Sequence, residues 1–215
     1  MALTFYYGSG SPYAWKVWLA LEHKGVPYEA RRLKFDDPDE TKSPEYLKIN
    51  PRGRVPAIVD DGFALYESNA IAEYLEDRFP ERPLLPKEAK ARAIARRLMA
   101  EADSYLGPIG GELLDATLYT KAEERDPKKI AGLKAKVREE LARWEASLTG
   151  DYFAGGLGLA DYATYPWARM LVRAEERAPG LGFKREELPP KLAAWLKRIE
   201  ALPYYEKTVP PHWRG

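Results

Sequence analysis

Two serines stand where a protein can hold a negative charge. Ser11 precedes Pro12 and an apolar stripe, and Ser68 follows Glu67 and precedes another. A serine at a helix start can accept a backbone N–H as a cap. Its hydroxyl can instead donate to an anion, and the first turn of a helix favours negative charge. Between the serines lies Arg54, followed by Val55-Pro56. A guanidinium matches a carboxylate through two parallel hydrogen bonds. Side chains of these types can hold and stabilise anions. The chain has no cysteine, which excludes disulfides, thiolate metal sites and redox work by its own sulfur. His23 and His212 are its two histidines, too few for a histidine-rich metal site.

Composition narrows the classes further. The 215 residues suffice for one large domain or two small ones. The formal net charge is +1 and the 34 basic residues are dispersed, so there is no basic stripe of the kind nucleic acid demands. No apolar run reaches the length of a membrane span. The start, Met-Ala-Leu-Thr-Phe-Tyr-Tyr, does not read as a signal peptide, so the expected location is cytoplasmic. Glutamine is absent and asparagine occurs at 50 and 69 alone. With abundant Arg, Lys and Glu this resembles a thermophile's composition, although biased genome composition gives the same picture.

The elements that must position the two serines can be read in order. Residues 3–7 are β-branched and aromatic and predict a strand. Ser11-Pro12 then opens a helix whose stripe is Ala14, Val17, Trp18 and Leu21, and Gly25 with Pro27 ends it. Residues 28–33 predict a weak strand and 43–49 a short helix ended by Asn50-Pro51. Ala57-Ile58-Val59 and Phe63-Ala64-Leu65 flank Asp60-Asp61-Gly62, a hairpin signal, because the tight turn needs positive φ. Pro56 belongs at the first position of its strand or at an edge. Ser68, as cap or first-turn residue, begins a helix carrying Ile71, Tyr74, Leu75 and Phe79. Residues 80–86 form a proline-rich connector. Beyond it only helical periods occur. Gly107-Pro108 breaks or kinks the first helix, Asp126-Pro127 opens another, and further starts fall near Leu159 and at Pro190.

The run Asn50-Pro51, Arg54, Val55-Pro56, hairpin, Glu67-Ser68 resembles the glutathione-binding half of the glutathione transferase family. Leu159-Ala160-Asp161 matches that family's sixth-helix start, although Gly158 stands where a serine or threonine cap is usual. The resemblance covers essentially the whole chain. It implies an α/β thioredoxin-like domain over 1–79, the linker 80–86, and an all-helical domain over 87–215. It also implies a cis Val55-Pro56 bond and a homodimer. The implied partner is glutathione as co-substrate, with no permanently bound cofactor and no metal. Val55 would pair through its backbone with the cysteinyl unit. Glu67 and Ser68 would hold the γ-glutamyl end, and Arg54 would face the glycyl carboxylate.

The implied activity is conjugation of glutathione to a hydrophobic electrophile, a detoxification chemistry, or a related peroxide or disulfide reduction. Its nucleophile is the thiolate, and a free thiol has a pKa of about 8.5. Ser11 is the expected thiolate-stabilising hydroxyl, in the Ser-Pro-aromatic setting of the family's serine-type members. Ser11 as a plain cap stays open, and so do Tyr7 and Ser9 in the catalytic role. Lys16 reads as a solvated charge. Tyr13, Tyr105, Leu106, Tyr119, Trp167 and Trp213 are candidates to line an electrophile site, and at helical spacing each also reads as core. The alternatives are a non-catalytic interaction module of the same fold, an isomerase or dehalogenase, or use of a different small thiol. The isomerase members usually carry Ser-Ser-Cys where this chain has Ser11-Pro12-Tyr13, which argues against that one.

Overall fold

The computed structural model describes residues 3–213. Its contacts divide the chain into two units. The first runs to Leu85 and takes back Pro203 onward, and the second is Pro86–Leu202.

The first unit holds β1 Leu3–Tyr7, α1 Pro12–Lys24, β2 Glu29–Arg32, α2 Pro44–Ile49, β3 Ala57–Asp60, β4 Phe63–Tyr66 and α3 Ser68–Arg78. The strands form one sheet in the order β2-β1-β3-β4. β1 and β2 pair in parallel, which requires a crossover, and α1 supplies it. The other two pairings are antiparallel. This is the expected thioredoxin-like order. The β3–β4 turn has φ 46° at Asp61 and 87° at Gly62, the two positive values that a two-residue hairpin needs.

Alternation along β1 sets the two faces of the sheet. Phe5 and Tyr7 point to one side, where their rings lie 6.1 and 4.6 Å from that of Trp18 on α1. Tyr6 points to the other, 5.7 Å from Tyr46 of α2. Helix α1 starts with Pro12 after the Ser11 cap and ends at Gly25, as expected.

The second unit holds α4 Ala89–Glu101, α5 Gly107–Leu114, α6 Pro127–Ser147, α7 Leu159–Arg177 and α8 Pro190–Glu200. Among the described residues it contains no strand. The expected break at Gly107-Pro108 takes a specific form. Residues Ala102–Leu106 and Asp115–Tyr119 are π-helical, flanking α5. Pro108 has no N–H to give its own turn, so the register before it widens and Gly107 N–H donates to the Ala102 carbonyl.

Asp161 anchors the start of α7. Its carboxylate accepts from Gly158 N–H at 2.9 Å, Phe153 N–H at 3.2 Å and Trp195 Nε1–H at 2.8 Å. Glycine has no side-chain oxygen to return, so Asp161 supplies its half of the capping box alone. Burial pushes its carboxyl up to about 7, while hydrogen bonds from Trp195 and the two amides pull it down.

The C-terminal segment, counted with the helical half on sequence grounds, packs on the first unit. Its short helix α9, Tyr205–Thr208, lies against α1. Trp15 Nε1–H donates to Thr208 Oγ1 at 3.0 Å, with both residues buried. Among the described residues no helix is long and apolar enough to cross a membrane.

Candidate functional site

Sheet register alone gathers the predicted residues. Tyr6 pairs with Ala57, so the end of β1 lies beside the start of β3. Ala57 pairs with Tyr66, so the end of β4 lies beside that same start. The Gly8–Ser11 loop, Val55-Pro56 and Glu67-Ser68 therefore leave the sheet at one end.

Ser11 caps α1. Its Oγ accepts from Ala14 N–H at 3.3 Å, a long bond. Accepting leaves the hydroxyl proton available to a ligand. Cap and anion donor are thus compatible roles for one side chain. Ser11 also holds the loop, donating its N–H to the Gly8 carbonyl at 3.1 Å.

Val55-Pro56 is cis, as is Asp37-Pro38, which was not foreseen. Among the described residues no hydrogen bond engages the Val55 amide or carbonyl. The loop before it is tightly held. The Arg54 carbonyl accepts from Tyr46 Oη–H at 2.6 Å and Asn50 Nδ2–H at 2.7 Å. Asn50, buried, also accepts Arg52 N–H at 3.0 Å. Burial pushes the Tyr46 phenol up to about 12, so it remains a donor. Lys42 Nζ donates to the Gly53 carbonyl at 2.7 Å. The Arg54 side chain itself is exposed.

Glu67 is the residue before α3 and takes φ 73°, ψ 112°, a conformation that side chains rarely adopt. Its exposed carboxylate lies 3.9 Å from Arg52 Nε. Ser68 is the first residue of α3, so it belongs to the first turn and Glu67 takes the cap position.

Lys16 differs from expectation. It is 2% exposed, and its Nζ donates to Asn69 Oδ1 at 2.9 Å. The signal was in the sequence: Lys16 is the one charge in Tyr13–Leu21, an otherwise apolar run with no solvent face to spare. Tyr7, buried, stacks on Phe5 at 5.5 Å and packs on Trp18. Ser9 Oγ lies 2.6 Å from His212 Nδ1. Of the aromatic candidates, Tyr105 and Tyr119 are 59% and 77% exposed, while Trp167 is buried against Gly107 in the second unit.

Both halves of the chain match known families. The family described as Glutathione S-transferase, N-terminal domain, matches residues 10–78. The family described as Glutathione S-transferase, C-terminal domain, matches residues 113–203. Glutathione S-transferase A of Pleuronectes platessa is 30% identical, over 98% of this chain and 92% of its own. A glutathione S-transferase from the Antarctic clam Laternula elliptica superposes with a TM-score of 0.83 at 32% identity, covering 100% of this chain and 94% of its own. The theta class enzyme from Xanthomonas axonopodis pv. citri, solved with glutathione bound, gives 0.82 at 28% identity, with 96% of each chain covered.

Proposed function

The chain belongs to the glutathione S-transferase family, and from that premise we propose that it activates the thiol of glutathione as a thiolate for attack on a hydrophobic electrophile. The observation that carries the reading is the meeting, at one end of the sheet, of three features: the Ser11 hydroxyl, the unpaired Val55 backbone and the start of α3. Each suits one part of the tripeptide. Val55 pairs through its amide and carbonyl with the cysteinyl unit, as a short added strand beside Pro56. The γ-glutamyl carboxylate sits at Ser68 and the first-turn N–H groups of α3, with Glu67 facing its amine. Arg54 takes the glycyl carboxylate. That arrangement delivers the sulfur to the first turn of α1.

There the Ser11 hydroxyl donates to the thiolate, and the start of α1 adds its partial positive charge. Lowering the thiol pKa by about two units corresponds to about 2.7 kcal/mol. The thiol proton leaves to water. The sulfur then forms a bond to the electrophilic carbon, and the leaving group departs with its bonding pair. Glutathione is a co-substrate in this scheme, and no resident cofactor takes part. The reading includes a homodimer, which light scattering tests directly.

The deciding experiment follows thiolate absorbance of bound glutathione against pH for the wild type and Ser11→Ala, alongside conjugation to an activated aryl chloride. The wild type is expected to form thiolate below the range of free glutathione, and Ser11→Ala to lose most of that shift. Wild-type protein that neither binds glutathione nor shifts its titration would overturn the reading and favour an interaction module.

A further inference from the structure

We propose that His212 is a positioning residue for the thiolate site, fixing Ser9 as a second hydroxyl donor beside Ser11. The proposal rests on the glutathione reading above and adds a group from the far end of the chain. His212 Nδ1 lies 2.6 Å from Ser9 Oγ, and its Nε2 lies 2.9 Å from Trp213 Nε1. An indole N–H can only donate. Nε2 must therefore accept, which places the imidazole proton on Nδ1. Nδ1–H then donates to Ser9 Oγ. The reverse bond, with Ser9 donating, would put two N–H groups face to face at Nε2. The serine's own proton is consequently turned away from the ring and free for a ligand.

The surroundings fit a held loop. A Cβ on Gly10, whose φ is +87°, would stand 2.9 Å from His212 Cε1, so the imidazole approaches as closely as glycine permits. On the other flank, a Cβ on Gly8 would run into the Phe35 ring. Ser9 is thus presented between two glycines gripped by two rings. The segment bringing His212 there is itself anchored. Thr208 accepts from Trp15, and the Trp213 ring meets Trp15 edge-on at 5.2 Å. Ser9, Ser11, Trp15 and Thr208 line one crevice.

The test is a titration of bound glutathione by thiolate absorbance in Ser9→Ala, His212→Phe, His212→Asn and the Ser9→Ala/His212→Phe pair, with Ser11→Ala run beside them. Asn at 212 carries an amide N–H where Nδ1 stood. Ser9→Ala and His212→Phe should each raise the thiol midpoint by about half to one pH unit and lower kcat about threefold to tenfold, the scale of one hydrogen bond. The KM for glutathione should hold. The double variant should be no worse than either single, and His212→Asn should restore the wild-type midpoint. A wild-type midpoint in His212→Phe, additive shifts in the double variant, or no rescue by Asn each overturn the proposal. If Ser11→Ala shifts the titration while Ser9→Ala and His212→Phe do not, the glutathione reading stands and this one falls. If wild-type protein leaves glutathione titrating as in free solution, both fall.

Discussion

Lys16 Nζ donates to Asn69 Oδ1 at 2.9 Å, tying the second turn of α1 to the first turn of α3. These helices carry Ser11 and Ser68 at their N-terminal ends, so one part-buried contact ties together the two ends that the glutathione reading uses. Asn69→Ala removes an acceptor from an ammonium that is 2% exposed. It should cost about 1–3 kcal/mol of stability. On the glutathione reading it should also raise KM for glutathione more than it lowers kcat, because the γ-glutamyl and sulfur positions loosen relative to each other. Urea denaturation and steady-state kinetics read the two effects separately. Stability without loss would remove the bond from the account.

The double role of Ser11 can be split by choice of substitution. Its Oγ caps α1 at Ala14 N–H, and the proposed catalytic act uses the same atom's proton. Ser11→Ala loses both, with about 1 kcal/mol from the cap. Ser11→Asp keeps a good cap but sets a carboxylate beside the developing thiolate. The aspartate variant should therefore melt near the wild type yet conjugate at least as poorly as the alanine variant. An aspartate variant with wild-type kcat would leave Ser11 a cap and nothing more.

How far the sequence reached depends on the range of the interaction. The β3–β4 hairpin was legible because Asp61-Gly62 is a local instruction, and α1 because Ser11-Pro12 and Gly25 mark its ends. Glu67-Ser68 was legible as a helix start, but not the φ of 73° at Glu67, a value that glutamate rarely takes. Lys16 was misjudged by reading its charge instead of the apolar run around it. The return of the C-terminal segment was invisible: Trp15 and Thr208 stand 193 positions apart, and no local pattern links them. His212 shares that fate, since its part depends on the fold bringing the chain's end to its beginning.

Glu76 holds the stretch leaving α3. It is paired with Lys24 at 2.8 Å and accepts Leu84 N–H and Leu85 N–H at 2.9 and 3.0 Å. Lys24 in turn donates to the Phe79 and Arg82 carbonyls. Burial raises the Glu76 carboxyl, but the bonds from Lys24 and the two amides outweigh it, and the net shift is downward. Glu76→Ala leaves the buried Lys24 ammonium without its counter-ion and strands two amides, so a loss of about 3–5 kcal/mol is expected. Urea denaturation measures it. Glu76→Gln, which can still accept from both the ammonium and an amide, should lose distinctly less, and equal losses would contradict this account.

His23 gives the chain a pH-dependent stability. Burial, with Lys24 and Arg82 nearby, lowers its pKa from 6.5 to about 4, while Glu76 partly opposes them. Its Nδ1 lies 2.9 Å from Tyr204 Oη, joining the end of α1 to the returning C-terminal segment. Between pH 4 and 6.5 the unfolded chain binds a proton at this position that the folded chain refuses. Stability from this group is therefore full above about pH 6.5 and is lost as pH falls toward 4. Asp161 works in the opposite sense, since its raised carboxyl takes up a proton in the folded state over much of the same window. The comparison must accordingly be made between proteins that share Asp161. His23→Asn keeps a polar partner for Tyr204 and removes the titration. The urea midpoint at pH 7 minus that at pH 5 should be more positive for the wild type than for His23→Asn, which loses the His23 effect and keeps that of Asp161. Equal differences in the two proteins would show that His23 takes its proton as readily folded as unfolded.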